Sequence, residues 1–313
     1  MALTNNAHGA CRFLGQLMHI ERLIETDGSS FKSLEDLQMA CWDSFGASEN
    51  QLKLVRQFFG FWLGSDLWIV TANGIEWNRK YGSGSLGSRL AKWLVDKAST
   101  KNLFTSTDAE SVMRAACVLM SVQGFTPRTL QPMSDTDIEK CLNRQMTDFC
   151  NHIDQDLVDP MANPISLLTN RGNELKPTIQ WLFLIGILEP GPPNTWYINP
   201  VRLLKSFLPD IAEEVGVKTN IPIGRFLSVL SHHVPMVDGG KFFELVSRAR
   251  SGTGFQGNDP NQIGAPLSTG LYALQAQGLL KFNSLSDDKN RIVFTPDYLG
   301  RGDEISSVEI LNV

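Results

Sequence analysis

The densest group of side chains able to hold a metal lies at His152, Asp154, Asp156 and Asp159, with Cys150 beside it. A hard cation takes oxygen ligands from several directions, and an EF-hand loop adds a central glycine and a closing glutamate. This run has neither, so it reads as the solvated acidic end of a helix. His232 and His233 precede Asp238 and could pair as base and orienter. No GxSxG elbow accompanies them, and a helix-terminal histidine pair is expected instead. Gly82, Gly84 and Gly87 spell GxGxxG in front of a helix, where a dinucleotide fingerprint would stand. Asn78 to Tyr81 do not form the buried parallel strand that such a fingerprint follows, and no series of βαβ units surrounds it. Ser88 and Arg89 also replace the Lys and hydroxyl with which a P-loop holds phosphate and magnesium. Gly82 to Ser88 is therefore expected to be a flexible linker. The sequence predicts no catalytic residue, no cofactor and no metal site, and the chain reads as non-enzymatic.

The elements around these groups repeat a short pattern: an apolar helix, a glycine, a strand, a polar turn and a second strand. In its clearest copy Leu267, Leu271 and Leu274 lie at i, i+4 and i+7 on one helical stripe, while Ser268, Thr269, Tyr272 and Gln275 fall on other faces. Gly278 takes the left-handed C-cap position. Leu279 to Phe282 then read as a strand, Ser286 to Asn290 as a turn, and Arg291 to Phe294 as the returning strand. A second copy runs from Ile179 through Gly186, with Ile187 and Leu188, the turn Pro190 to Asn194, and Trp196 to Ile198. A third surrounds Gly64, with Leu67 to Val70, the hairpin signal Asn73-Gly74, and Ile75 to Trp77. The spacing of the three glycines is uneven, which excludes a solenoid of fixed period and fits separate modules of one type. Ser33 with Asp36, and Ser48 with Gln51, mark helix N-termini.

A chain of 313 residues with 42% apolar and 19% charged side chains has the length and composition of a globular protein with two or three domains. The expected organisation is a first module over residues 1–81, a linker and helical region over 82–160, a second module over 161–210, a third over 211–300, and an acidic tail over 301–313. No segment has the roughly 20 apolar residues of a membrane span, and Met1 to His8 lack the features of a signal peptide, so a cytoplasmic location is expected. Five cysteines without CxxC spacing read as reduced core residues.

Net charge restrains any nucleic-acid reading. The chain has 28 basic and 33 acidic residues, whereas non-specific DNA binding rests on neutralising phosphates with Lys and Arg. From Gly216 to Arg301 the balance tips the other way, with nine basic residues against six acidic ones.

Leu267 to Thr295 is similar to the recognition helix and wing of MarR-type winged-helix proteins. The resemblance implies that Ser268, Thr269, Tyr272 and Gln275 face the major groove, and that Lys289 and Arg291 of the wing reach the DNA backbone, with Lys281 on the strand between. The sequence departs from DNA-reading relatives in one respect: no Lys or Arg occurs between Arg250 and Lys281, so the helix offers hydrogen bonding without phosphate clamps. By length and architecture the whole chain resembles the DpdG-type accessory proteins of bacterial DNA modification and anti-phage islands. The fold expected is mainly α with small β-hairpins, as tandem winged-helix modules joined by helices. Two functional readings follow. In one, the chain is a non-catalytic accessory subunit that contacts double-stranded DNA through its C-terminal module, weakly alone and with other protein subunits. In the other, its modules are interaction platforms for partner proteins, with Trp62, Trp68, Trp181 and Trp196 partly docked on them.

Overall fold

Ser33 and Asp36 cap one another as their spacing predicts: the Ser33 amide donates to Asp36 Oδ2 over 2.9 Å, and the Asp36 amide to Ser33 Oγ over 3.1 Å. The helix they open is the second of a mainly helical chain. The computed structural model describes residues 14–43, 60–106, 108–121, 132–142, 171–251, 261–284, 291–295 and 302–313. Its helices are α1 (Leu14–Asp27), α2 (Leu34–Asp43), α3 (Leu86–Lys97), α4 (Ala109–Met120), α5 (Arg171–Leu184), α6 (Val201–Val215), α7 (Ile223–His233), α8 (Lys241–Ser251) and α9 (Ala265–Ala276). Residues 60–63 and 135–142 are also helical. The strands are β1 (Trp68–Thr71), β2 (Gly74–Trp77), β3 (Met133–Ser134), β4 (Leu188–Pro190), β5 (Thr195–Ile198), β6 (Asn220–Pro222), β7 (Gln262–Ile263), β8 (Leu280–Asn283), β9 (Ile292–Phe294), β10 (Glu304–Ile305) and β11 (Ser307–Ile310). The chain is mainly α with small β-sheets, as expected. Among the described residues no helix is long and apolar enough to cross a membrane.

Every residue of α4 is buried, which suits a helix with apolar side chains on all sides. Its two buried charges are used internally: Glu110 accepts from the Ser99 amide over 2.9 Å, and Arg114 donates to the carbonyls of Leu103 and Ser106. Helices α3, α5 and α8 pack on α4, and α6 packs on α3, α7 and α9. A single apolar cluster consequently runs from Leu17 to Ile310. Trp62, Trp68 and Trp181 lie inside it, and Trp62 stacks against both Trp93 and Trp181 at about 6 Å. Trp196 is half-buried and donates to Asp135 over 2.7 Å. Burial of Trp62, Trp68 and Trp181 inside the core corrects the idea that these three dock partners. Cys41 and Cys117 are buried too; burial raises the Cys41 thiol to about 12 and pushes Cys117 up as well, keeping both uncharged.

One feature of the repeated pattern recurs in all three places: a left-handed residue precedes the first strand, whose opening carbonyl is bonded from beyond the last strand. At the end of α5 the Gly186 amide donates to Phe183 and the Ile187 amide to Leu182; at the end of α9 Gly278 donates to Gln275 and Leu279 to Leu274. Both glycines are left-handed, with φ of +87° and +70°. Each pair of bonds satisfies carbonyls that the last helical turn leaves open. The carbonyl of the next residue then receives the amide that follows the last strand: Asn199 to Ile187, and Leu311 to Leu279. Asn78 to Leu67 is the same bond in the first copy. There, however, the left-handed residue is Asp66, at φ 59°, and Gly64 is not in that region. This corrects the expectation for Gly64. Aspartate tolerates the left-handed well better than most residues, and here Tyr81, Trp93 and Lys97 all bond its carboxylate.

The sheets carry the larger correction. β1 and β2 form the antiparallel hairpin expected around Asn73-Gly74, and β4 and β5 the one around Gly191. β8 and β9 do not pair with each other. β8 pairs with β11, which also pairs with β6, giving the order β6-β11-β8. β9 lies instead between β10 and β7 in a separate sheet. The order β6-β11-β8 matches β3-β5-β4: a short first strand at one edge, the last strand in the centre, and the strand after the helix at the other edge. The residues expected as an acidic tail therefore supply the central strand of the C-terminal sheet, with Val308 and Ile310 fully buried.

Candidate nucleic-acid interface

The C-terminal site is built from α9, β8, β9 and the segment that leads into β11. Leu267, Leu271 and Leu274 are buried, as their stripe predicts. Gly270 lies between them at a close crossing: a Cβ there would stand 2.7 Å from Leu204 Cδ1 and 2.8 Å from Pro200 Cγ. Helix α9 can approach α6 this closely because residue 270 has no side chain. Tyr272 turns to the opposite side, where its ring packs edge-on against Phe282 and Phe294.

Of the residues assigned to the groove-facing surface, Ser268 is buried at 2% exposure, and its Oγ accepts the Thr295 amide over 3.0 Å. That corrects the expectation for Ser268, which ties α9 to the chain after β9. Thr269 and Tyr272 are half-buried, and Gln275 is exposed with Ala276 and Gln277. Tyr272 Oη donates to Asp303 Oδ2 over 2.9 Å. Lys281 is exposed on β8 opposite Glu309 of β11. Arg291 forms an ion pair with Glu304. Lys289 lies outside the described residues. The surface that the sequence reads as a basic wing is thus interleaved with carboxylates at 303, 304 and 309. Asp303 and Glu304 are the residues that sequence reasoning missed. Their acidity was visible, but not that the last strand would bring them back beside Tyr272 and Arg291.

A profile of the DpdG-like family matches residues 1–288. The chain belongs to the DpdG-like family. Membership supports the context of DNA modification and defence that the architecture suggested, and it covers all three repeats except the final strand of the third. Comparison with curated proteins and with solved structures returns no match.

The other candidate groups of this DpdG-like chain divide into placed and unplaced. Cys150, His152, Asp154, Asp156 and Asp159 lie outside the described residues, and no cluster suited to a metal occurs among those that are described. His232 and His233 end α7, as expected, with their rings edge to face at 5.5 Å. His233 Nε2 lies 3.1 Å from Glu214 Oε2 at the surface. Asp238 Oδ1 accepts the Gly264 amide over 3.2 Å, so the carboxylate braces the entry to α9. Gly82 to Ser88 are not a linker. Ser85 is the N-cap of α3 and accepts the Ser88 amide, while a Cβ on Gly87 would stand 2.3 Å from the Leu184 carbonyl oxygen. The glycine permits this helix start to seat on the end of α5.

Proposed function

We propose that this DpdG-like chain is a non-catalytic accessory subunit of a cytoplasmic DNA-modification or defence assembly, built from winged-helix modules. It touches double-stranded DNA through its C-terminal module, while partner subunits supply most of the affinity. The observation that carries the reading is the recurrence of one strand order, β3-β5-β4 and β6-β11-β8, each with a capped helix leading into its edge strand. That is the layout in which a helix-turn-helix domain presents a recognition helix with a wing beside it. Thr269, Gln275 and Lys281 remain at least partly at the surface of the C-terminal copy, and Lys289 with Arg291 falls in the sequence that joins its last two strands, β8 and β11.

The pairing of Arg291 with Glu304 and of Tyr272 with Asp303 favours a second reading, in which the modules bind partner proteins and no nucleic acid. Titration of the full-length protein with fluorescent duplex at low salt separates the two. Under the first reading binding is measurable, weakens steeply as salt rises, and is lost on combining Lys289→Glu with Arg291→Glu. Absence of binding at low salt leaves only the second.

A further inference from the structure

The bond that reaches each edge strand from beyond the last strand sets the three repeats in one register: Asn78 to Leu67, Asn199 to Ile187, and Leu311 to Leu279. Two residues after each bonded carbonyl, Ile69 of β1 lies opposite Glu76, Glu189 of β4 opposite Tyr197, and Lys281 of β8 opposite Glu309. The next positions are Val70, Pro190 and Phe282. Two of the three edges therefore carry a charge at the matching position, in one case followed by a proline, and such residues guard an edge against pairing with another chain. β1 has neither guard. Leu67 to Ile75 contain no charged residue, and the side chains of Ile69 and Val70 are 39% and 48% exposed. We propose that β1 pairs with β1 of a second copy of this chain, antiparallel and about a two-fold axis at Ile69.

The hydrogen bonding of the hairpin selects that register. Asn78 bonds Leu67, so in the alternation of an antiparallel ladder residues 67, 69 and 71 bond inward to the β2 side, and the amides and carbonyls of Trp68 and Val70 point outward. An axis at Ile69 sets Trp68 opposite the partner's Val70 and Val70 opposite the partner's Trp68, so the outward groups of each strand bond those of the other. Ile69 then meets the partner's Ile69 in the close, non-hydrogen-bonded spacing, and both exposed side chains are covered. The charge pattern argues for a second copy as the occupant, and for this edge among the three. At a two-fold axis a residue meets itself. Isoleucine meets isoleucine there, whereas Glu189 or Lys281 would meet a like charge directly opposite, which is destabilising. Pro190 would also lack the amide that Val70 supplies. Two strands of this length bury far less than the roughly 1,200–2,000 Å² of a standard interface, so the dimer is weak and depends on concentration.

Sedimentation velocity of the full-length protein over rising concentration tests the pairing. A monomer–dimer equilibrium is expected, with a Kd of about 100 μM. Ile69→Glu and Ile69→Lys should each weaken it about tenfold, through lost apolar contact and like charge at the axis. An equimolar mixture of these two variants should associate again, because carboxylate and ammonium then oppose one another. Position 69 is exposed, so both variants are expected to fold, and a thermal melt checks that they do. Mild oxidation should link two copies of Ile69→Cys, whose α-carbons lie within disulfide reach, but not Thr71→Cys, which this register sets more than about 12 Å from its own copy. The unsubstituted protein controls for the native cysteines. A chain that stays monomeric at concentrations well above that constant overturns the proposal and leaves the edge to a strand of another protein. A dimer that tolerates both Ile69 substitutions, a mixture that fails to associate, or equal linking of the two cysteine variants overturns it as well.

Discussion

The unit that ends with β5 and the unit that ends with β11 share a strand order and differ in how their last two strands are joined. In the first, Pro190 and Thr195 are bridged by a turn, closed where the Gly191 amide donates to the Thr195 carbonyl over 2.9 Å. In the second, residues 284–306 separate the two strands, and that excursion contributes β9 and β10 to a separate sheet shared with β7. The difference shows that one architecture can be closed by local or by remote pairing. A tight turn fixes register cheaply, whereas a long connection must be stabilised by what its far strand buries. Val308 and Ile310 perform that role, pinned by β6 on one side and β8 on the other.

If the remote strand closes the C-terminal unit, Val308→Asp should have the largest effect. It places a charge at a fully buried position in the middle of the sheet, at a cost of about 4 kcal/mol or more, a large part of a typical domain's stability. Urea denaturation followed by tryptophan fluorescence measures it, and a loss below 1 kcal/mol would mean that β11 is dispensable. Next comes the contrast between the two helix-ending glycines. At Gly186 a Cβ would stand 2.7 Å from Arg202 Cβ and from the Leu203 amide nitrogen, whereas at Gly278 it meets nothing within 4 Å. Gly186→Ala should therefore cost about 3 kcal/mol, from left-handed strain plus overpacking, and Gly278→Ala about 1 kcal/mol from strain alone. Equal costs in a thermal melt would erase the distinction.

Two smaller effects sharpen the comparison further. Ser268→Ala removes the acceptor of the Thr295 amide, at about 1 to 2 kcal/mol. Among the described residues the buried hydroxyl of Thr178 on α5 donates to Glu174 of its own helix over 2.8 Å, so Thr178→Val should cost less than half as much in the same melt. Arg291→Gln should change stability by well under 1 kcal/mol, since its ion pair with Glu304 is at the surface. A larger loss would make that pair a structural clamp on the excursion.

Legibility followed sequence distance. The stripe of Leu267, Leu271 and Leu274, the caps at Ser33 and Gly278, and the turns at Asn73-Gly74 and Pro190 to Asn194 are set by residues a few positions apart, and each formed as its chemistry requires. Ile292 to Phe294 also formed a strand, but the sequence paired it with its neighbour in the chain. β-propensity says that a segment can be a strand and not which strand lies next to it. The candidate site suffered most from this. The position of Ser268 beside the apolar stripe predicts an outward side chain, whereas it is buried against Thr295, whose amide it accepts.

The sequence by itself determined the apolar stripe of α9, the helix stops at Gly186 and Gly278, the mainly helical class, and the absence of Lys and Arg from α9, because propensity, capping and charge are local properties. Only the tertiary structure decided that the last residues are the central strand of a sheet, that Asp303 and Glu304 meet Tyr272 and Arg291, that Asp66 replaces a glycine, and that the glycine-rich segment seats a helix start on the end of α5. Those outcomes depend on which remote surfaces bury each other best, and that free energy belongs to pairs of segments rather than to either one alone.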